Sequence, residues 1–165
     1  MRFRPLVPDD FEIPAFSTGT YRLEPLTNRW VIEDFAAIIE SFPHIDGLIG
    51  PPGSIPERGT YTLETNVIEL AWHEREFRTR QSFAFAAITH DNTREVGCVY
   101  LYPPPTPRED AVGISWARWD PDDPDADARF FAEFRAWVAR DWPFANVAYP
   151  GRSIPWDTWL SDPSA

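Results

Sequence analysis

Glu74 sits where a carboxylate is least at home. At helical spacing it falls among Leu63, Val67, Leu70 and Phe77, the apolar stripe of a helix expected from Thr62 to about Arg80. A carboxylate on that stripe is either desolvated, with a raised pKa suited to a general base, or neutralised by Arg78 one turn on. Its neighbours His73 and Glu69 are one turn apart, but "HEREF" lacks the second histidine of a zinc-protease motif. The histidines are His44, His73 and His90 and the one cysteine is Cys98, and no metal-ligand spacing stands out among them. His90 is expected at a hairpin, in solvent. Cys98 is expected in mid-strand as a small core residue, with no histidine partner visible in the sequence.

A second chemical feature is the stretch "GISWARWDPDDPDADARFFAEFRAWVARDW", residues 113–142, which reads as strand, loop and helix. Free N–H groups and the helix dipole favour an anion at such a helix start. Here the loop instead carries Asp120, Asp122, Asp123, Asp125 and Asp127, together with Pro121 and Pro124, which have no N–H to offer. Asp123 or Asp125, capping the helix at Ala126, would supply that negative charge from within the chain. Arg118 enters the same loop. It could bind a phosphate or carboxylate at a cleft mouth, or pair with the acidic loop beside it, which is the simpler reading.

The elements that must hold these residues follow from periodicity. Residues 1–19 are Pro-rich and read as an extended arm. "YRLEP" alternates like a strand, after which Val31, Phe35, Ile38, Ile39 and Phe42 recur at helical spacing, with Thr27 or Asn28 as cap. "HIDGLIGPPGSIPERG" breaks the pattern and is a loop. "SFAFAAITH" and "EVGCVYLYPP" are strand-like and joined by "DNTR" as a tight hairpin; "AVGISWARW" is a further strand, and "FANVAYP" a short last one. The middle strands carry apolar residues on both parities, so both faces of the sheet should be covered. A domain over 20–155 and a tail over 156–165 complete the chain. Trp156 and Trp159 in that tail could close over a sheet edge or against a second copy.

The bulk numbers narrow the classes. A chain of 165 residues with 43% hydrophobic and 15% aromatic residues is long and apolar enough for one real core. Every one of its 15 basic residues is Arg, and the formal net charge is −11, which argues against nucleic acid or an anionic membrane as partner. If the acidity serves binding, it suits a cationic ligand. The amino-terminal stretch has no apolar run after its arginines, and a single cysteine suits a reducing compartment. A cytoplasmic protein is the expectation.

The element order, with "YRLEPLT", "EVGCVYLYP", "AVGISWARW" and "FANVAYPGR", resembles the GNAT superfamily of acyl-CoA-dependent N-acyltransferases over roughly residues 20–155. The resemblance implies an α+β fold: a central, mostly antiparallel sheet of about five or six strands with helices on both faces, here with a shortened C-terminus. It implies acetyl-CoA as cofactor, its pantetheine in the cleft where "GISWARW" splays from the last strand, and a small amine as acceptor. Trp116, Ala117 and Arg118 would then line the cofactor cleft, one of their backbone N–H groups serving a developing oxyanion. Glu74 would act as base and Tyr149 as the acid near the leaving thiolate.

Two features depart from that family. Its glycine-containing pyrophosphate loop is absent, and each close phosphate–carboxylate pair costs about 1 kcal/mol even in water. The usual further helix and two strands are also missing. The sequence therefore supports two functions: an acyltransferase with a degenerate CoA site, or a non-catalytic GNAT-fold module that binds a small ligand or forms a dimer.

Overall fold

The computed structural model describes residues 4–57 and 59–161. Its strands and helices are β1 (Tyr21–Pro25), α1 (Val31–Ile45), α2 (Leu63–Arg78), β2 (Phe83–Thr89), β3 (Glu95–Tyr102), β4 (Ala111–Ala117), α3 (Ala126–Asp141), β5 (Val147–Ala148) and α4 (Trp156–Leu160), with a short 3-10 turn over Asn28–Trp30 before α1. The strands form one sheet in the order β1-β2-β3-β4-β5. The first three pairings are antiparallel; β4 and β5 are parallel. Helices cover both faces, as the double-parity strands require. This is the α+β architecture expected from the sequence.

The α3 face is aromatic. Phe130, Phe134 and Trp137 of α3 sit with Trp142 over Phe83, Phe85, Val99 and Leu101. The Phe85 and Trp137 rings meet edge to face at 5.5 Å, a geometry that adds to the area they bury. The extended arm belongs to this core: Val7 is buried, and Phe16 packs 5.6 Å from Trp137. Arg80, in the left-handed region at φ 59°, ties the arm down by donating to the carbonyls of Pro8 and Phe11, each at 2.6 Å.

The α1/α2 face is apolar only in part. Leu70, Phe42, Ile45 and Trp116 pack on the small residues Ala84, Ala86 and Cys98. At the centre of the buried side of α1, however, stand Asp34 and Ser41, and the expected Val31, Phe35, Ile38 and Ile39 are only half-buried at its flanks. Thr27 caps the 3-10 turn that leads into α1, its side chain accepting from the Arg29 N–H, while α1 itself, with Trp30 at its cap position, has no side-chain cap.

The α2 stripe needs a correction. Leu63 and Val67 are 39% exposed, whereas Asn66 and Leu70 face inward. Asn66 fixes this rotation: its side-chain amide donates to the Val31 carbonyl at 3.3 Å, and its oxygen accepts from the Tyr61 hydroxyl at 2.8 Å. Satisfying a buried polar group outweighed burying two aliphatic ones.

Two backbone features position the sites. In β3, Ala87 pairs with Gly97 but Ile88 pairs with Glu95, so Val96 is an extra residue in a bulge. Gly97 has φ 154°, and a Cβ there would lie 2.4 Å from the Trp116 carbonyl oxygen, so only glycine fits. At the other edge, β4 and β5 pair over two residues and then part. The chain turns back at Tyr149–Ile154 and enters α4, where the Trp156 indole donates to the Gly47 carbonyl at 2.7 Å. Trp156 therefore closes over the loop after α1. No described helix is long and apolar enough to cross a membrane.

Candidate functional site

Where β4 leaves β5, the open edge of β4 exposes a carbonyl at Ser115 and an N–H at Ala117. Both are taken by side chains of the same chain. The Ala117 N–H donates to Asp127 at 3.0 Å, and Arg152 donates to the Ser115 carbonyl at 2.9 Å. Arg152 also grips Asp127 through both terminal nitrogens. Its guanidinium lies 4.8 Å over the Phe131 ring, and its side chain is only 11% exposed. Next along the groove, Tyr149 covers Gly113 so closely that a Cβ there would come 2.4 Å from the tyrosine ring. The ring packs edge to face on Phe131 and Phe134 of α3, and burial pushes its phenol up to about 12. The groove that the resemblance assigns to a pantetheine chain is thus filled from within.

This latch answers why an anion-binding helix start is crowded with aspartates, and it corrects the expected cap. Asp125 occupies the cap position, but its side chain makes no capping bond. Asp123 pairs with Arg129. Asp127, in the first turn of α3, points back at β4, and its carboxylate is taken by the Ala117 N–H and Arg152.

The neighbours Trp116, Ala117 and Arg118 point to different places. Only the Ala117 amide faces the groove. Trp116 is buried on the opposite face, its indole donating to the Tyr100 hydroxyl at 3.2 Å. Arg118 turns away from the acidic loop, contrary to expectation. It forms a bidentate pair with Glu40 of α1, both contacts at 2.7 Å, and donates to the Glu95 carbonyl at 3.3 Å. Strand parity is the reason: residue 118 follows Trp116 on the α1 side. Arg118 in turn holds the Glu40 carboxyl below its usual range.

A second acid site lies beneath Trp116. Asp34 and Glu95 are both 0% exposed, and the Cys98 sulfur is 3.4 Å from an Asp34 oxygen and 3.1 Å from a Glu95 oxygen. The other oxygen of each carboxyl, Asp34 Oδ2 and Glu95 Oε2, is buried without a donor. No side-chain cation touches either carboxyl among the described residues. Burial raises both carboxyls above their ordinary values, and the Asp34 charge raises Glu95 further. Burial likewise pushes the Cys98 thiol up, so it is neutral. The cluster is thus two buried carboxyls whose proton affinity is raised, joined through the Cys98 thiol. One ligand atom from each of the three residues lies within 4.8 Å of the others, a spacing that could also hold a metal ion. The sequence did not reveal this set, because residues 95 and 98 fall on opposite faces of a regular strand. Gly97, a glycine inside a strand pattern, was the one available sign of the bulge that reunites them.

Glu74 takes the neutralised alternative, 2.6 Å from Arg78, with the arginine side chain 77% exposed. His73 lies 5.4 Å from the Tyr100 ring, and burial pushes its pKa down, so it is neutral. His90 contacts the Thr18 carbonyl at 2.8 Å. A cavity of about 580 Å³ opens between the β2–β3 hairpin and the start of α3, with Tyr21, Arg94, Asp120, Arg129, Phe130 and Glu133 among its walls. Arg129 is neutralised by Asp123, and Glu133 accepts from the Tyr21 hydroxyl at 2.5 Å. Arg94 and Asp120 have no ion-pair partner among the described residues.

No protein-family profile and no curated protein matches the sequence. Solved structures do match the fold. The ribosomal-protein-S5-alanine acetyltransferase of Vibrio fischeri aligns with a TM-score of 0.56 at 10% identity, over 76% of this chain and 67% of that one. RimL, a ribosomal L7/L12 alpha-N-protein acetyltransferase, aligns with a TM-score of 0.54 at 10% identity, over 82% of this chain and 70% of that one. The chain has the fold of GNAT acetyltransferases.

Proposed function

We propose that this chain is a non-catalytic GNAT-fold module that binds a small zwitterionic amine and has exchanged acyl-CoA binding for an internal latch. One observation carries the reading: Arg152 and Asp127 occupy the Ser115 carbonyl and the Ala117 N–H on the β4 edge in the groove. A pantetheine chain in that groove would have to displace them, and a pyrophosphate at the start of α3 would meet the Asp127 carboxylate. As arranged, these residues do not fit an acyl-CoA, and no transfer step is derived through one. The cavity beside the start of α3 supports the ligand class. Its Arg94 suits a carboxylate and its Asp120 an ammonium, with Phe130 as apolar wall.

A second reading is an acyl-CoA-dependent N-acyltransferase acting on a small amine, in which residues 149–154 swing aside. What favours it is that β4 and β5 still part as they do where a cofactor lies between them. Calorimetric titration separates the two. On the first reading, acetyl-CoA gives no saturable heat with the wild-type protein, and members of a free amino-acid panel do, with the heat lost in Arg94→Ala. Micromolar acetyl-CoA binding by the wild type overturns it and establishes the second.

A further inference from the structure

The outward side of α2 is the apolar one. Ile68 and Trp72 are each 55% exposed, and Leu63 and Val67 39%. Asn28 donates to the Val67 carbonyl and Asn66 to that of Val31, holding the start of α1 against α2. Ile32, 61% exposed, stands at that same start. Most of the large exposed aliphatic and aromatic side chains of the described residues thus gather on one side of the molecule, where a monomer has nothing to cover them.

Charge says what covers them. The exposed line of α2 runs Glu64, Ile68, Trp72, Arg75, at i, i+4, i+8 and i+11, with the small Ala71 beside its middle. An antiparallel helix laid across it about a two-fold axis brings Ile68 against Trp72 of the other copy and Glu64 against its Arg75. Glu64 and Arg75 have no ion-pair partner among the described residues. The Arg75 guanidinium is instead held 5.0 Å over the Trp72 ring, at the end of the line where the other Glu64 arrives. In a chain of net charge −11, this line sums to zero. Two copies can therefore meet here without facing like charge against like.

We infer that this protein forms a two-fold dimer through antiparallel packing of α2 on α2 of a second copy, closed by reciprocal Glu64–Arg75 pairs. The tail and the exposed sheet edge are not part of this interface.

Sedimentation velocity over a range from low to high micromolar protein tests it. The wild type sediments as a dimer in the upper part of that range. Trp72→Glu, at an exposed site, weakens association by at least about tenfold, and Ile68→Asp does the same. Glu64→Arg alone weakens it severalfold, and Glu64→Arg combined with Arg75→Glu restores it to within about threefold of wild type. A wild type that is monomeric throughout overturns the inference. So does a dimer indifferent to Trp72→Glu, which places the interface elsewhere, or a double swap that fails to restore association, which refutes the antiparallel register.

Discussion

Two acid sites flank β4, one on each side of the sheet, and the chain settles them by opposite means. At the groove, Asp127 is met by a cation, Arg152, and by the Ala117 amide. Beneath Trp116, no side-chain cation touches Asp34 or Glu95 among the described residues, and burial raises both carboxyls toward the protonated form. The first solution fixes geometry: a guanidinium that spans a carboxylate and a backbone carbonyl locks the returning turn against the strand. The second leaves the site sensitive to proton activity. What faces a buried carboxylate decides whether it acts as a structural anion or as a proton store.

The largest effect that would break this contrast comes from Gly97→Ala. The new Cβ meets backbone, so the bulge must shift and Glu95 leaves Asp34; a loss of about 3 kcal/mol in urea unfolding is expected. A change within experimental error would mean that the bulge is not what holds the acid pair. Arg152→Ala ranks next. Removing one partner of a buried pair costs about 3–5 kcal/mol, but Asp127 is 32% exposed and water can reach it, so about 2 kcal/mol is expected. Arg152→Lys should recover only part of this, because an ammonium cannot span Asp127 and the Ser115 carbonyl as a planar fork does. Full recovery would reduce the latch to a point charge.

The buried acid site makes a pH prediction with a definite sign. Glu95 has a raised pKa in the folded state, so above its ordinary range the folded protein binds more protons than the unfolded one. Stability therefore falls as pH rises from that ordinary range toward the raised value, by up to about 1.4 kcal/mol per pH unit for one retained proton. Glu95→Gln should make the decline shallower without abolishing it, since Asp34 is raised as well. An unchanged slope across a pH series of denaturant melts would contradict a raised Glu95 carboxyl. Smallest of all is Glu74→Ala. An ion pair with a largely exposed arginine contributes about 0.5 kcal/mol or less, and a loss above about 1 kcal/mol would show that Glu74 belongs with the buried acids instead.

The two sites also differ in how much of them the sequence could disclose. Fold class and the order of elements along the chain were legible, because strands 83–89, 95–102 and 111–117 carry apolar residues on both parities and α3 carries its aromatic residues at helical spacing. The anomaly at the start of α3 was legible too, as five aspartates where amides were expected, but its resolution was not. Which aspartate turns toward Ala117 depends on Arg152, 25 residues further on, arriving from the turn after β5. The orientation of α2 was misread for a related reason. Its apolar residues lie on two sides, and Asn66 chooses between them through bonds to Val31 and Tyr61 that periodicity does not contain. The acid pair was invisible because a bulge reverses the parity on which strand reasoning rests.

The most direct test of the central claim is the backbone amide resonance of Ala117. With Asp127 and Arg152 closing the groove, this amide is protected from hydrogen exchange and shifts strongly in Arg152→Ala. It does not move when acetyl-CoA is added in large excess to the wild type. A saturable shift of Ala117 with acetyl-CoA, together with loss of the Arg152 contact, would show that the latch is a removable lid and that the groove still takes its cofactor.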